Sequence, residues 1–387
     1  MASLTPTRPR TRPRNRREMI LRAAADLFAE HGYHNVNTED IAAAAGIGAS
    51  ALYRHFRNKH ELLELALASE FQAVSSALAE AAPRDIDSAI AVLARAFGGR
   101  PRMGLLWSRE SRHLDDPAKQ RIRGPFFEVR GTLEGLIRER TQGGDPELTA
   151  MAVIAVLTSP AYHQTTLPPD RMIALLIELS MIAVATPLTG RDGARPQPEP
   201  DGVTSSSRPS AIMAAATRLF SVKGYQTVTM QDIGAAVGAT SASLYRHFPT
   251  KGDLLTAIMT RATEALHVGL ADALAGAASP REALRATVTA YVSFATRHRD
   301  LLGVLVTELP NIPEPDRRRL RAAQREYVSE WFALQAAARP EQDRAVTRFR
   351  VHAALAIVND AVRTTRLSSH PGVVRNIVDL AVSVLEN

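Results

Sequence analysis

A 13-residue string occurs twice in this chain, as "ALYRHFRNKHELL" from Ala51 and as "SLYRHFPTKGDLL" from Ser243. Sliding the sequence against itself by 192 positions aligns residues 17–63 with 209–255 without a gap, and 21 of those 47 positions are identical. Ile20, Leu27, Phe28, Gly32, Tyr33, Val36 and Ile41 meet Ile212, Leu219, Phe220, Gly224, Tyr225, Val228 and Ile233. Such self-similarity at a fixed period means two copies of one structural unit, so any fold proposed for one copy must also suit the other. Weaker echoes extend the repeat: "APRDIDSAIAVLARAF" from Ala82 resembles "SPREALRATVTAYVSF" from Ser279. Further on, Glu110 falls opposite Glu308 and Pro117 opposite Pro315, which makes the copied unit roughly 190 residues.

Between the copies lies "PLTGRDGARPQPEPDGVTSSSRPS", rich in Pro, Gly and Ser and without apolar periodicity, which reads as a flexible linker. The division is then a basic arm (1–17), a first small domain (18–63) and a first helical body (64–186). A linker (187–209), a second small domain (210–255) and a second body (256–387) follow. Alternating β-branched residues are hard to find and helical periodicity runs throughout, so the fold class is all-α, two tandem units of like architecture. Absence of cysteine excludes disulfides and thiolate-ligated zinc and points to a reduced, intracellular setting. A net charge of +7 and a pI near 10 favour a polyanionic partner. The start of the sequence is basic rather than apolar, unlike a signal peptide. The longest apolar run, from Met172, contains Glu178 and reads as a buried helix; no membrane partner is expected.

Within the first small domain, Ile20, Ala23, Ala24, Leu27 and Phe28 form one apolar face of a helix, ended by Gly32 as a left-handed cap. Asn37 with Asp40, and Thr229 with Asp232, have the spacing of a capping box at the start of a second, short helix. That helix stops at Gly46 or Gly238, and after a short turn comes a third, "ASALYRHF" or "SASLYRHF". Two short helices around a glycine-containing turn, braced by a longer one, make a helix-turn-helix, whose last helix enters the DNA major groove by its N-terminal end.

At that end the residues must be slim or able to hydrogen-bond, as Gly48, Ala49 and Ser50 are in copy one and Thr240, Ser241 and Ser243 in copy two. Tyr53 and Tyr245 follow one turn on, where a hydroxyl can reach a phosphate. Arg54 and Arg246 beside them, with Asn37 and Thr229 at the preceding helix start, complete the DNA-facing set. Lys59 and Lys251 are two of only four lysines among 43 arginines, yet occupy one matched position, which suits a phosphate clamp. Inheritance without present function is the competing explanation. His55 and His247 have two readings, a base contact or a ring packed at a helix end. Ahead of copy one, "RPRTRPRNRR" sets Arg8, Arg10, Arg12, Arg14, Arg16 and Arg17 on a proline-extended arm. It can follow phosphates or the minor groove, or serve as a solubilising tail.

These segments resemble the TetR family of bacterial transcription regulators. The likeness lies in "LFAEHGY", "DIAAAAGI" and "LYRHFRNKHELL" of copy one and in "LFSVKGY", "DIGAAVGA" and "LYRHFPTKGDLL" of copy two. Two departures stand out in copy one, Gly48 in place of the usual hydroxyl residue and Ala51 in place of the usual Thr. The resemblance implies that each body is a helical ligand-binding and dimerisation domain. It also implies that the fused copies dock as a pseudodimer within one chain, a homodimer of chains being the alternative. Paired surfaces are expected from Met151–Leu157 and Met172–Thr186 against Val351–Leu367 and Val373–Leu385. The expected partner is an operator on double-stranded DNA, asymmetric because "GASALYRH" and "TSASLYRH" differ. The setting would be the bacterial cytoplasm, at the nucleoid. Fused double regulators of this kind occur in actinobacteria, some linked to lipid and steroid uptake or catabolism.

No cofactor or metal is expected, only a small-molecule effector. Trp107, Arg112 and His113, in "MGLLWSRESRHL", offer an apolar surface edged with cations that suits an acidic lipid such as an acyl thioester. The other reading makes Trp107 core and the arginines solvated. No catalytic residues are expected: GxxxxGK[ST], HExxH and GxSxG are all absent, and the eleven histidines lack ligand spacing. A rival within the DNA-binding class has only the first copy reading DNA, the second being structural or ligand-sensing.

Overall fold

The computed structural model describes residues 16–189 (except 101, 142, 164 and 166), 207–364 and 372–387. Arg8, Arg10, Arg12 and Arg14 of the arm, the linker from 190 to 206, Leu367 and the side chain of Arg112 lie outside the described residues. Among those described, the regular structure is helical with no strand, and each copy contributes nine α-helices in the same order. Copy one has α1 (Arg16–His31), α2 (Thr38–Ala44), α3 (Ala49–Leu52), α4 (Lys59–Ala81), α5 (Ile86–Gly98), α6 (Met103–Glu110), α7 (Asp116–Arg140), α8 (Pro146–Thr158) and α9 (Pro169–Ala185). Copy two repeats them as α10 (Arg208–Lys223), α11 (Met230–Ala236), α12 (Ser241–Tyr245), α13 (Lys251–Ala275), α14 (Pro280–Arg297), α15 (Arg299–Thr307), α16 (Asp316–Ala338), α17 (Arg344–Arg363) and α18 (Val373–Glu386).

Helix starts are written into both copies, three of four with different residues. Asn37 and Thr229 cap α2 and α11, Asn58 and Thr250 cap α4 and α13, Asp85 and Ser279 cap α5 and α14, and Asp145 and Asp343 cap α8 and α17. In each case a side-chain oxygen accepts an amide hydrogen that the helix itself cannot satisfy. Gly32 and Gly224 do end α1 and α10, but at φ 84°, ψ 148° and φ 80°, ψ 148°. That corrects the left-handed helical cap expected for Gly32. The chain leaves in an extended, positive-φ conformation that essentially only glycine adopts.

The expected boundary at 63–64 falls inside α4, which runs unbroken from the small domain into the body. Among the described residues α4 is the one helix long and apolar enough to cross a bilayer, and here Leu62, Leu63, Ala66, Leu67 and Phe71 are buried in the protein core. A single core runs from Ile20 and Phe28 of the first small domain through both bodies to Leu385. The second small domain has a core of its own around Ile212, Phe220, Ile233 and Leu244, with Leu266 packed against both.

Between the copies, α8 packs on α17 and α9 on α18. Helix α8 is buried at every residue from Leu148 to Leu157, as a helix covered on all sides must be. Polar keys lock the same boundary. Arg350, 3% exposed, donates to the Val384 carbonyl at 2.7 Å and pairs with Glu178 of the other copy. The Asn376 amide exchanges two hydrogen bonds with the Thr189 backbone, at 3.1 and 2.9 Å. His163 stacks on His352 with ring centroids 4.6 Å apart and meets Phe349 edge-on.

Candidate nucleic-acid interface

In each small domain the short helix is placed by its one buried side chain. Leu52 and Leu244 are both 0% exposed, and around them the remaining residues turn outward. Gly46 (φ 65°) and Gly238 (φ 61°) make the turn before it, a conformation that favours glycine. Gly48, Ser50, Tyr53, Arg54 and His55 are exposed in copy one and Ala49 half-buried. In copy two, Thr240, Tyr245, Arg246 and His247 are exposed while Ser241 and Ser243 are half-buried. The frame is the same and its chemistry is not. Thr240 accepts the Ser243 amide and Arg246 reaches the Ser243 hydroxyl at 3.3 Å, whereas Gly48 has no side chain to cap α3.

Tyr53 shares a 2.8 Å hydrogen bond with the Thr38 hydroxyl, which pins its ring at the surface. At the position matching Thr38 copy two has Met230, which cannot make this bond, and Tyr245 stands 49% exposed. Thr38 escaped the sequence reading because nothing in the repeat marks it. Asn37, Thr38, Tyr53, Asn58 and Lys59 border one open groove of about 440 Å³ across the first domain. Arg16 opens α1, and Arg17 is exposed with its guanidinium 5.4 Å from the Phe56 ring. His55 lies tilted against Phe56 at 6.3 Å. Asn37 and Thr229 have their oxygens engaged in the capping boxes.

The matched lysines diverge in use. Lys251 donates to the carbonyls of Tyr225 (2.8 Å) and Val228 (2.9 Å) with its ammonium 4.2 Å from the Tyr225 ring centroid. The lysine expected there as a phosphate clamp also ties the loop after α10 to the start of α13. Lys59 lies 4.4 Å over the Tyr33 ring while still bordering the open groove. Burial lowers both ammonium pKa values, and the nearby carboxylates of Glu110 and Glu308 act in the opposite sense. Those carboxylates, 3% and 0% exposed, sit at the ends of α6 and α15. Glu110 accepts the Tyr33 amide at 3.1 Å and lies 3.6 Å from His113. In copy one the body is thereby joined to its own small domain, and the signal that could have found the joint was the alignment of Glu110 with Glu308.

The expected effector residues separate. Trp107 lines a cavity of about 420 Å³ and meets Phe71 edge-on at 5.1 Å. His113 does not line that cavity; it stacks on Tyr33 at 5.4 Å and meets His34 edge-on, at the joint between body and small domain.

Known protein families match this chain in its two small domains and its second body. The description "Bacterial regulatory proteins, tetR family" matches residues 20–66 and again 212–258, and "Tetracyclin repressor-like, C-terminal domain" matches 277–364. The HTH-type transcriptional repressor KstR2 of Mycolicibacterium smegmatis is 39% identical over 64 residues, covering 16% of this chain and 29% of that protein. The HTH-type transcriptional activator FasR of the same organism is 32% identical over 87 residues, 22% of this chain and 40% of that protein. The chain thus spans well under half the length of these relatives. Among solved structures, the ketosteroid transcriptional regulator KstR2 of Mycobacterium tuberculosis aligns with a TM-score of 0.42 at 20% identity, covering 47% of this chain and 94% of that one.

Proposed function

Starting from a chain that belongs to the TetR family of bacterial regulators and carries its DNA-binding domain twice, we propose a ligand-responsive repressor that sets two unlike readers on one asymmetric operator. The observation that carries this reading is the pair of recognition helices. Leu52, Tyr53, Arg54, His55 and Phe56 recur as Leu244, Tyr245, Arg246, His247 and Phe248, whereas Gly48-Ala49-Ser50-Ala51 becomes Thr240-Ser241-Ala242-Ser243. Identical frames dock alike on the backbone, and different tips read different base edges. Tyr53, Arg54, Tyr245 and Arg246 supply the phosphate contacts, with Arg16 and Arg17 beside the first reader.

One chain suffices for both half-sites, because the docked bodies do within a molecule what pairing of subunits does elsewhere. An effector in the cavity beside Trp107 acts through α6, which carries Trp107 at its middle and Glu110 at its end. A ligand preferring one placement of α6 shifts the first reader by the difference in its affinity for the two placements. The apolar wall of that cavity supports an effector of lipid or steroid class, such as an acyl thioester. The genes proposed are those for uptake or breakdown of such compounds, in the bacterial cytoplasm.

Light scattering of the complex with the chain's own upstream DNA tests the core of this reading. One chain on a short, non-palindromic site is the expected result, with affinity falling steeply as salt rises because both readers release counterions. Two chains per site, or affinity unmoved by Tyr245→Ala with Arg246→Ala, would overturn the two-reader arrangement.

A further inference from the structure

The cavity beside Trp107 does not end at its apolar wall. Phe71, Phe97, Met103, Phe126, Met151 and Ile154 enclose the chamber of about 420 Å³. Trp107, Ser108, Ser111, Arg123 and Arg363 border both this chamber and a second space of about 430 Å³. Each volume falls within the ~300–1,000 Å³ typical of small-molecule sites. The second space is polar and basic, with Lys119, Arg123, Arg299 and Arg363 facing it against Asp116 and Asp300. Its walls come from both copies: α7 of copy one, Ser221 on α10 of the second reader, and Gly303 and Thr307 on α15. Helices α10 and α15 lie so close there that a Cβ on Gly303 would stand 3.1 Å from the Ser221 hydroxyl.

We propose that the chain takes one anionic amphiphile per molecule, its apolar part in the chamber of copy one and its charged head in the basic vestibule beside the second reader. The proposal rests on the regulator reading above and adds the ligand's chemistry, its orientation and the reader it touches. Orientation follows from the walls. The chamber adds Arg130 and Asp360 to the shared Arg123 and Arg363 but is otherwise largely aromatic and aliphatic, whereas the vestibule has no apolar wall beyond Trp107 and sets Lys119 and Arg299 beside the shared arginines, against Asp116 and Asp300. The cavity of copy two does not repeat this arrangement. It measures about 280 Å³ and its lining includes a single arginine, Arg109, with Gln324, His352 and Asn359. One ligand per chain follows. Its head touches the second reader while its tail lies against α6, so both readers sense one molecule.

Calorimetric titration of the full chain without DNA tests this, using dodecyl phosphate, dodecanoate, dodecanol and dodecyltrimethylammonium below their micelle concentrations. The anionic probes should bind once per chain and at least about tenfold more tightly than dodecanol, the scale of a charge-assisted hydrogen bond. The phosphate and carboxylate arms tell which head the vestibule prefers. Arg123→Gln, on an exposed side chain, should weaken the anionic probes by about tenfold and leave dodecanol unchanged. Equal binding of dodecanol, two ligands per chain, or indifference to Arg123→Gln would overturn the proposal. Operator affinity is measured on the same preparation, so a chain that fails to bind DNA still gives a clear answer about the ligand.

Discussion

Lys251 shows how a side chain expected at DNA also serves the fold. Its ammonium closes two carbonyls of the loop after α10, so Lys251→Met should destabilise the second reader by about 2 kcal/mol, the worth of hydrogen bonds to a charged group. Urea denaturation followed by circular dichroism measures this. Tyr245→Phe is the complementary test. With its ring 49% exposed, it should change stability by less than about 0.5 kcal/mol and still weaken operator binding in fluorescence anisotropy. The repeat made both residues legible, because their positions match across 192 residues. It could not say which way the ammonium points, since that depends on carbonyls 23 and 26 residues earlier in the chain. His113 is a case of the same kind. Its sequence neighbours suggested the ligand site, and its partners Tyr33 and His34 are contributed by another domain.

Elements were more readable than side chains. Capping residues and glycine turns are local signals, so the order of helices in both small domains could be read directly, apart from the backbone conformation at Gly32. The two recognition helices nevertheless differ in anchoring. Thr240→Ala should cost the second reader about 1 kcal/mol by leaving the Ser243 amide uncapped, whereas the first reader has no such bond to lose. Differential scanning calorimetry reads the shift. Helix α6 carries a sharper constraint. A Cβ on Gly104 would stand 2.9 Å from Cβ of Thr158, so α6 rests directly on the end of α8. Gly104→Ala should push α6 outward at about 1–3 kcal/mol, the usual cost of overpacking, and alter ligand affinity through the displaced Trp107. Binding of the fold's own elements at such close range depends on tertiary approach and has no periodicity to reveal it.

At the scale of the molecule, the boundary between the copies is asymmetric and polar at its edges. Glu178→Ala leaves the Arg350 guanidinium buried without its carboxylate and should cost on the order of 2 kcal/mol, less than a fully buried pair because Glu178 is half exposed. Adding Arg350→Met should recover most of that loss, a coupling that a double-mutant cycle in urea resolves. Acid should loosen the same boundary. Burial holds His163 down to about 3 and His352 to about 4, the latter helped by Arg348, against an ordinary 6.5. Unfolded chain therefore takes up protons that the folded chain refuses. This stabilisation is complete above pH 6.5 and declines as pH falls toward 4 and then 3. His163→Phe with His352→Phe should flatten that decline in urea midpoints measured from pH 7 to 5. The sequence located the helices that meet here but not these keys, which pair residues 172 or more positions apart or stack rings across the repeat.

The shared core of the two bodies has a consequence for dosage. Separate subunits must find each other, so the fraction assembled falls with dilution and the active form rises with the square of a scarce protein. Here α8 and α17 belong to one polypeptide, and their meeting is a first-order event set by the tether rather than by abundance. On the one-chain operator proposed above, occupancy should follow the number of chains in a cell linearly, down to a handful of molecules, with no threshold at low copy number.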